Sequence, residues 1–361
     1  MAFDAKVPYN DLPPLPPKVD VETRAILKQT IEARGALAEL KGLGGTIPNP
    51  ALLVDSLILQ EAKASSEIEN IITTSDALFR AFTAKTTQID PATKEVLRYR
   101  EALWKGYNIL KTRPVLTTNL FIEIVQTIKE HSGGIRNIPG TMVANAATGN
   151  AIYTPPEGEA VIRDKLKNLE DFIHADDDLD PLVKLALIHY QFEAIHPFAD
   201  GNGRTGRIVN ILFLVLKGLL DLPVLYLSKF IIDNKNDYYR LLRQVTEKGL
   251  WEQWISFMLT AIMDTAVFTR ERTLAIRALM AATMEKAREK LPARVYSKEL
   301  IELIFRQPYT KGQFLVDEGI AQRKTAAEYL KALEKAGILR STKLGKETLY
   351  LNSGLYDLLS H

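Results

Sequence analysis

The sequence predicts a mainly α-helical protein that ends in a winged helix-turn-helix, and three observations carry that expectation. Apolar residues recur at helical spacing through most of the chain up to Leu216. The run Ile208-Val-Asn-Ile-Leu-Phe-Leu-Val-Leu216 is apolar almost all round, which suits a helix in the middle of a bundle. Past about residue 290, three short helical patterns precede two strand-like runs, the order of a winged helix-turn-helix.

In chain order, the opening to about residue 20 carries Pro13, Pro14, Pro16 and Pro17 and is expected as an extended strap over the surface. From Val21 to about Phe82, helical spacing broken at Gly42-Leu-Gly-Gly45 and around Pro48 and Pro50 reads as a helical N-terminal lobe. Helices are expected at Pro91 to Thr112 and Thr117 to His131, then a stretch rich in Gly, Asn, Thr and Pro from Ser132 to Glu159. Inside it, Thr141-Met-Val-Ala-Asn145 and Ala151-Ile-Tyr-Thr154 flank Thr148-Gly-Asn150, where Gly149-Asn150 can supply the positive φ of a tight turn, so a small β-hairpin is expected. Helical spacing resumes at Glu159 to His174 and Pro181 to Ile195. In the tail, helices around Ser297 to Arg306, Lys311 to Asp317 and Gln322 to Ala336 have Gly319 at the turn between the second and third. Strands at Ile338-Leu-Arg340 and Thr348 to Leu351 follow, around a turn at Gly345-Lys346. The implied division is an N-terminal helical lobe at 1–95, a core at 96–288 and a winged domain at 289–361.

Composition narrows the function classes. With 46 basic and 44 acidic residues, the charge of +2 gives no bulk attraction for nucleic acid or anionic membrane, so any such affinity must be local. The absence of cysteine removes thiolate nucleophiles, thiolate metal sites and disulfides, and suits a reducing compartment. No signal pattern or membrane-length apolar run is apparent, so the cytoplasm is the expected location and no membrane partner is expected.

The chemistry concentrates in His196-Pro-Phe-Ala-Asp-Gly-Asn-Gly-Arg-Thr-Gly-Arg207, between an amphipathic helix and an apolar one. A helix starting near Gly203 presents unpaired amides and the positive end of its dipole, a combination that binds phosphate. Gly201 and Gly203 let the backbone approach an anion, Asn202 adds amide donors, and Arg204 and Arg207 share a helical face and suit a polyphosphate. Asp200 is a hard oxygen ligand of the kind Mg²⁺ accepts beside phosphate oxygens. His196 has an ordinary pKa of roughly 6.5, suited to proton abstraction near neutral pH.

Other uses of this stretch fit less well. Gly201-x-Gly203-x-x-Gly206 with Asp221 about twenty residues on matches the dinucleotide fingerprint, but the lead-in Leu182 to Ile195 is helical where that fingerprint needs a strand. A Walker loop needs Lys-Ser/Thr where Gly203-Arg204 stands. His196 to Arg207 matches, position for position, the signature His-Pro-Phe-x-Asp/Glu-Gly-Asn-Gly-Arg-x-x-Arg of Fic domains. Gly134-Ile-Arg136, Tyr153-Thr-Pro-Pro156 and His189 to Ile195 also resemble that family. Roughly residues 10 to 285 look like its self-inhibited bacterial subfamily, a helical bundle with a β-hairpin flap, and the tail looks like the winged helix that many members carry.

The resemblance implies a protein adenylyltransferase. His196 would deprotonate a Ser, Thr or Tyr hydroxyl of a protein target, or of the chain itself, for attack on the α-phosphate of ATP. Asp200 would hold Mg²⁺, and Gly201 to Gly203 with the Asn202 side chain would cradle phosphates. Arg204 would contact the β-phosphate and Arg207 the γ-phosphate, with Thr205 and Gly206 in the same nucleotide-binding turn. Asn234 to Tyr239 resembles the adenine region, where Tyr238 and Tyr239 could stack on a purine or simply pack in the core. Ile152 and Tyr153 of the hairpin would be the flap that pairs with an extended target segment.

Ser65-Ser-Glu-Ile-Glu-Asn70 matches the family's inhibitory pattern, Ser/Thr-x-x-x-Glu-Gly/Asn, although Ser66-Glu-Ile-Glu69 is also a capping-box pattern. In the inhibitory reading, Glu69, flanked by Ser65 and Asn70, would pair with Arg207 and exclude the γ-phosphate. Members of the group also remove AMP, with the inhibitory Glu orienting a water, and a homodimer that controls Glu69 is compatible with the resemblance. Arg323, Lys324, Lys331 and Lys335 on the third tail helix, with Arg340, Lys343 and Lys346 near the wing, admit DNA or a protein as partner. That leaves a second function open, a nucleotide-sensing transcription regulator.

Overall fold

The computed structural model describes residues 3–44, 51–84, 89–144, 149–345 and 347–360. Helices α1 (Arg24–Gly44), α2 (Ala51–Ile68), α3 (Ser75–Ala84), α4 (Pro91–Thr112) and α5 (Thr118–Lys129) lead to a short antiparallel pair, β1 (Val143–Ala144) and β2 (Ala151–Tyr153). Then come α6 (Glu159–His174), α7 (Pro181–Ile195), α8 (Asn202–Leu216), α9 (Leu227–Asp233), α10 (Lys235–Lys248) and α11 (Trp251–Lys290). The tail holds α12 (Lys298–Leu303), β3 (Tyr309–Thr310), α13 (Gly312–Asp317), α14 (Arg323–Lys335), β4 (Arg340–Leu344), β5 (Glu347–Leu351) and α15 (Ser353–Ser360). The expected mainly α architecture is therefore present; the Gly45, Pro48 and Pro50 turn, Asn145, Thr148 and Lys346 lie outside the described residues.

Local chemistry explains the sharpest boundaries. Asp90 and Asp180 each accept a first-turn amide, from Thr93 and Leu182, and Pro91 and Pro181 occupy the position where a missing N–H costs nothing. The start of α7 is thereby fixed, and nearly every residue of that helix is buried. It packs against α8, with α4, α5, α6 and α11 around the pair, so the loop between α7 and α8 hangs between two helices buried along most of their length.

Some expectations need correction. The strap is anchored rather than superficial: Leu12 and Leu15 are buried, Asn168 bonds both backbone atoms of Leu15, and Gln191 donates to the Pro13 carbonyl. Ile338 and Leu339 are not strand residues. Their amides return to the Leu333 carbonyl behind Gly337, whose φ of 67° closes the end of α14, and β4 begins only at Arg340. The hairpin is shorter than expected because Thr154 leaves it, giving its carbonyl to Tyr9 and its hydroxyl to the Ala5 carbonyl. The tail sheet has the order β3-β5-β4, so β3 and α15 are additions to the sequence-based outline. This tail grips the N-terminal lobe, with Ser56 donating to the Arg306 carbonyl, Tyr309 to Asp76, and Tyr356 set edge-on to Phe79.

Candidate active site

His196 ends α7 with φ 48° and ψ 59°, a left-handed conformation that costs a side-chain-bearing residue roughly 1–3 kcal/mol. Arg136 holds it there. Its Nε donates to the His196 carbonyl at 2.7 Å, its amide to the Pro197 carbonyl at 2.9 Å, and its other arm to the Pro156 carbonyl below the hairpin. Burial first, and the Arg136 charge second, depress the imidazole to about 4, leaving it neutral and able to accept a proton at neutral pH.

The loop after it is closed from within. Phe198 is buried beside Phe192, and the Asn202 side chain brackets it, accepting from the Phe198 amide and donating to its carbonyl, both at 2.8 Å. Asn202 was expected to offer that amide to phosphate; its polar atoms are instead spent on shaping the loop. Thr205 is fully buried, and a Cβ at Gly206 would meet Phe192 and the Glu193 carboxyl, so both residues lie in the packed first turns of α8. Gly201 caps α8 with φ 82° and no side-chain bond, which leaves the first-turn amides open to an anion.

Arg204 and Arg207 are among the largest fully buried side chains, and buried guanidinium groups require partners. Arg207 donates through Nε to Ser65 Oγ and through Nη2 to the Ser65 carbonyl, each at 2.8 Å, and to Glu69 Oε1 at 2.9 Å. A Cβ at Gly203 would overlap that same Glu69 oxygen, so the carboxylate lies directly on the first turn of α8, where an anion would dock. Burial works against the Arg207 charge, yet Glu69 and further neighbours outweigh it and the guanidinium is held above its ordinary range. Glu193 among those neighbours is pushed up to about 7 by burial against the pull of Arg207, and buried Glu61 is pushed up to about 7 against its bonds from Ser228 and the pull of Arg207.

The shape of the α2 terminus explains the Glu-Asn pair. The Ile71 amide bonds the Ser66 carbonyl and the Asn70 amide the Glu67 carbonyl, both at 3.0 Å, the pattern of a Schellman cap with Asn70 at the left-handed position, φ 60°. Lys235 of α10 adds a 2.6 Å bond to the Ile68 carbonyl. Glu69 is thus held by a cap that tolerates Gly or Asn and little else. Asn70→Val is expected to lower stability by roughly 1–2 kcal/mol in chemical denaturation while Asn70→Gly stays near the parent; equal stability of the two variants would remove this role.

Asp200 and Arg204 belong to a second charge cluster that sequence reasoning missed. Arg204 Nη1 meets Glu95 Oε1 at 2.7 Å, Lys129 Nζ meets Glu95 Oε1 at 2.8 Å and Asp200 Oδ2 at 2.6 Å, and Asp200 Oδ1 accepts from the Gly201 amide at 2.5 Å. Burial would raise the Asp200 carboxyl, but Lys129 and Arg204 outweigh it and hold it low. Among the described residues no group of three His, Cys, Asp or Glu side chains converges as a metal cage. A lone, largely exposed Asp200 carboxylate suits a Mg²⁺ ion that takes its other ligands from phosphate and water.

The aromatic expectation is split. Tyr238 is 1% exposed, bonds His189 at 2.8 Å and packs near Trp254, so it belongs to the core and cannot stack on a base. Tyr239 is 45% exposed, and burial together with the nearby Glu69 raises its hydroxyl pKa, which leaves it at the rim beside the Glu69 segment. In the hairpin, Ile152 is half-buried, while Tyr153 donates to the Ala194 carbonyl at 2.7 Å and anchors β2 to α7. Among the described residues no helix is long and apolar enough to cross a membrane.

This geometry agrees with what the chain is similar to. Residues 27–108 match the Fic/DOC family N-terminal model, 115–214 the Fic/DOC family model, and 279–355 the model for the C-terminal domain of protein adenylyltransferase SoFic-like proteins. An Aquifex aeolicus protein named probable protein adenylyltransferase is 27% identical over 155 residues, 43% of this chain and 37% of that one. Protein adenylyltransferase fic-1 of Caenorhabditis elegans is 33% identical over 92 residues, 25% of this chain and 17% of that one. The chain therefore matches well under half the length of either curated relative. In fold, it is similar to the crystal structure of a Fic family protein from Desulfovibrio desulfuricans G20, with a TM-score of 0.55 at 20% identity, covering 93% of this chain and 98% of that one. Residues 134–508 of C. elegans Fic-1 give a TM-score of 0.54 at 17% identity, over 71% and 75% of the two chains. With the two regions matched by Fic/DOC models together spanning just over half of its residues, the chain belongs to the Fic/DOC family.

Proposed function

We propose that the protein is a self-restrained adenylyltransferase that moves AMP from ATP to a Ser, Thr or Tyr hydroxyl of a protein, itself included. The observation that carries this reading is the neutral His196 next to an uncapped helix start whose Arg207 is held by Glu69. In the proposed step, the hydroxyl oxygen bonds to the α-phosphorus, the bond from that phosphorus to the bridging oxygen breaks, and pyrophosphate leaves. His196 takes the hydroxyl proton. The first-turn amides of α8 with Arg204 and Arg207 bind the phosphates and stabilise charge as it shifts toward the leaving group. Asp200 would hold Mg²⁺, which supplies charge neutralisation at the phosphates when bound. An extended target segment pairs with the hairpin edge near Ile152, through main-chain bonds that demand little of the target's sequence. Removal of AMP, with Glu69 orienting a water, and residence in the cytoplasm belong to the same reading.

The test is mass spectrometry of purified Glu69→Gly protein after exposure to Mg²⁺ with ATP, GTP, CTP or UTP. An adduct of AMP mass with ATP alone is expected; no adduct with any donor would overturn the reading. A second reading, a regulator that senses nucleotide and binds DNA, is favoured by the exposed Arg323, Lys324, Lys331 and Lys335 of α14 with Arg340 and Lys343. It requires a salt-dependent shift of duplex DNA and no transfer of label from ATP.

A further inference from the structure

Asp200 has one oxygen turned inward and one outward. Oδ1 accepts from the Gly201 amide and has Arg204 Nη2 at 3.8 Å, so Oδ2 is the oxygen left for a divalent cation. That oxygen is taken by Lys129 Nζ at 2.6 Å. The same ammonium lies 2.8 Å from Glu95 Oε1, which also receives Arg204 Nη1 at 2.7 Å. Lys129 is in the last turn of α5, and its stem packs beside the loop: a Cβ at Gly201 would lie 3.6 Å from Lys129 Cγ and 3.1 Å from Val125 Cγ2. The ammonium therefore has a fixed reach and two carboxylates to choose between.

We propose that Lys129 is a positioning residue that stands on Asp200 in place of the divalent cation, and that Glu95 retains the ammonium when the metal-nucleotide complex takes Asp200 over. This rests on the adenylyltransferase reading and names a residue it did not use. With Lys129 present, the cluster of Glu95, Asp200, Lys129 and Arg204 has two charges of each sign, so a bare divalent cation gains little by entering beside a buried guanidinium. A metal that arrives with nucleotide brings compensating phosphate charge, and only then is displacement of the compact ammonium favourable. Lys129 thus keeps Asp200 aimed in the resting protein, and couples metal entry to nucleotide entry.

The test is binding of Mn²⁺ alone, followed by electron paramagnetic resonance, in full-length His196→Ala protein, which cannot turn over. Lys129→Met is expected to tighten nucleotide-free Mn²⁺ binding about 3- to 10-fold, and Lys129→Arg to change it little, on the strength of removing or keeping one unit charge in contact with the ligand. Asp200→Asn combined with Lys129→Met should abolish the gain. Lys129→Gln serves if the methionine variant does not fold. Unchanged or weaker Mn²⁺ binding without Lys129 would overturn the proposal while leaving self-modification by Glu69→Gly intact. If Mn²⁺ with a non-hydrolysable ATP analogue does not bind the Glu69→Gly, His196→Ala protein, the adenylyltransferase reading falls and this inference with it.

Discussion

Glu69→Gly is expected to raise self-modification with ATP and Mg²⁺ by about 10- to 100-fold, the gain anticipated when a resting contact keeps the binding-competent state at a few per cent. The physical case is competition for one guanidinium. Arg207 now spends Nη2 on Glu69 and on the Ser65 carbonyl, and the carboxylate covers the first turn of α8. Removing it exposes both the charge and the amides at once. The fold should survive, because Arg207 keeps its two bonds to Ser65. Calorimetric titration separates this from a general loosening: ATP should bind more tightly to the variant, while ADP, which lacks a γ-phosphate to meet Arg207, should change much less. Equal gains for the two nucleotides would show that Glu69 does not act through the Arg207 contact.

How far the sequence discloses this arrangement depends on whether a feature is local. The bounds of α4, α6 and α7 coincide with the expected ones, and for α4 and α7 an Asp-Pro pair marks the start. The 40-residue α11 has no such legibility. Its buried positions Ile255, Met258, Ile262, Thr265, Thr269, Thr273, Ile276 and Met280 recur at helical spacing, but the three threonines in mid-helix interrupt the apolar signal, and the sequence reading assigns nothing to most of it. The signature loop is readable because the proposed base, the proposed ligand and both arginines fall within the twelve residues from His196 to Arg207. Its supports come from elsewhere: Glu95 and Lys129 sit on α4 and α5 without a motif, and Arg136 is visible only as part of a short family-like tripeptide.

A further signal went unused. Ser65 and Glu69 are spaced four apart across the end of α2, which puts two polar groups on one face toward Arg207. Composition also cannot separate Tyr238 from Tyr239. Adjacent residues on α10 point in different directions, and only the packing near Trp254 and the bond to His189 decide that the first is core and the second rim.

His196→Ala is expected to abolish transfer in the Glu69→Gly background, with a loss of about 10²- to 10⁴-fold, the usual contribution of a positioned general base. Binding of ATP should persist, since the α8 amides, Arg204 and Arg207 remain, so the loss should fall on kcat rather than KM. The pH profile is the more specific measurement. With the folded imidazole depressed to about 4 by burial and Arg136, the base stays unprotonated as pH falls through the ordinary histidine range. The acid limb of kcat/KM should therefore lie near pH 4, about two units below that of an unperturbed histidine. The same shift has a stability consequence of definite sign. Between roughly pH 6.5 and 4 the unfolded chain binds a proton at His196 that the folded chain refuses, so stability falls as pH is lowered through that window. Buried His189, depressed further, to about 3, acts in the same direction. Weakening Arg136 would reverse part of this: Arg136→Met removes the charge and the grip on the His196 carbonyl, and should move the acid limb toward neutrality while slowing transfer. A limb that remained near pH 4 in that variant would leave burial alone responsible for the base strength of His196.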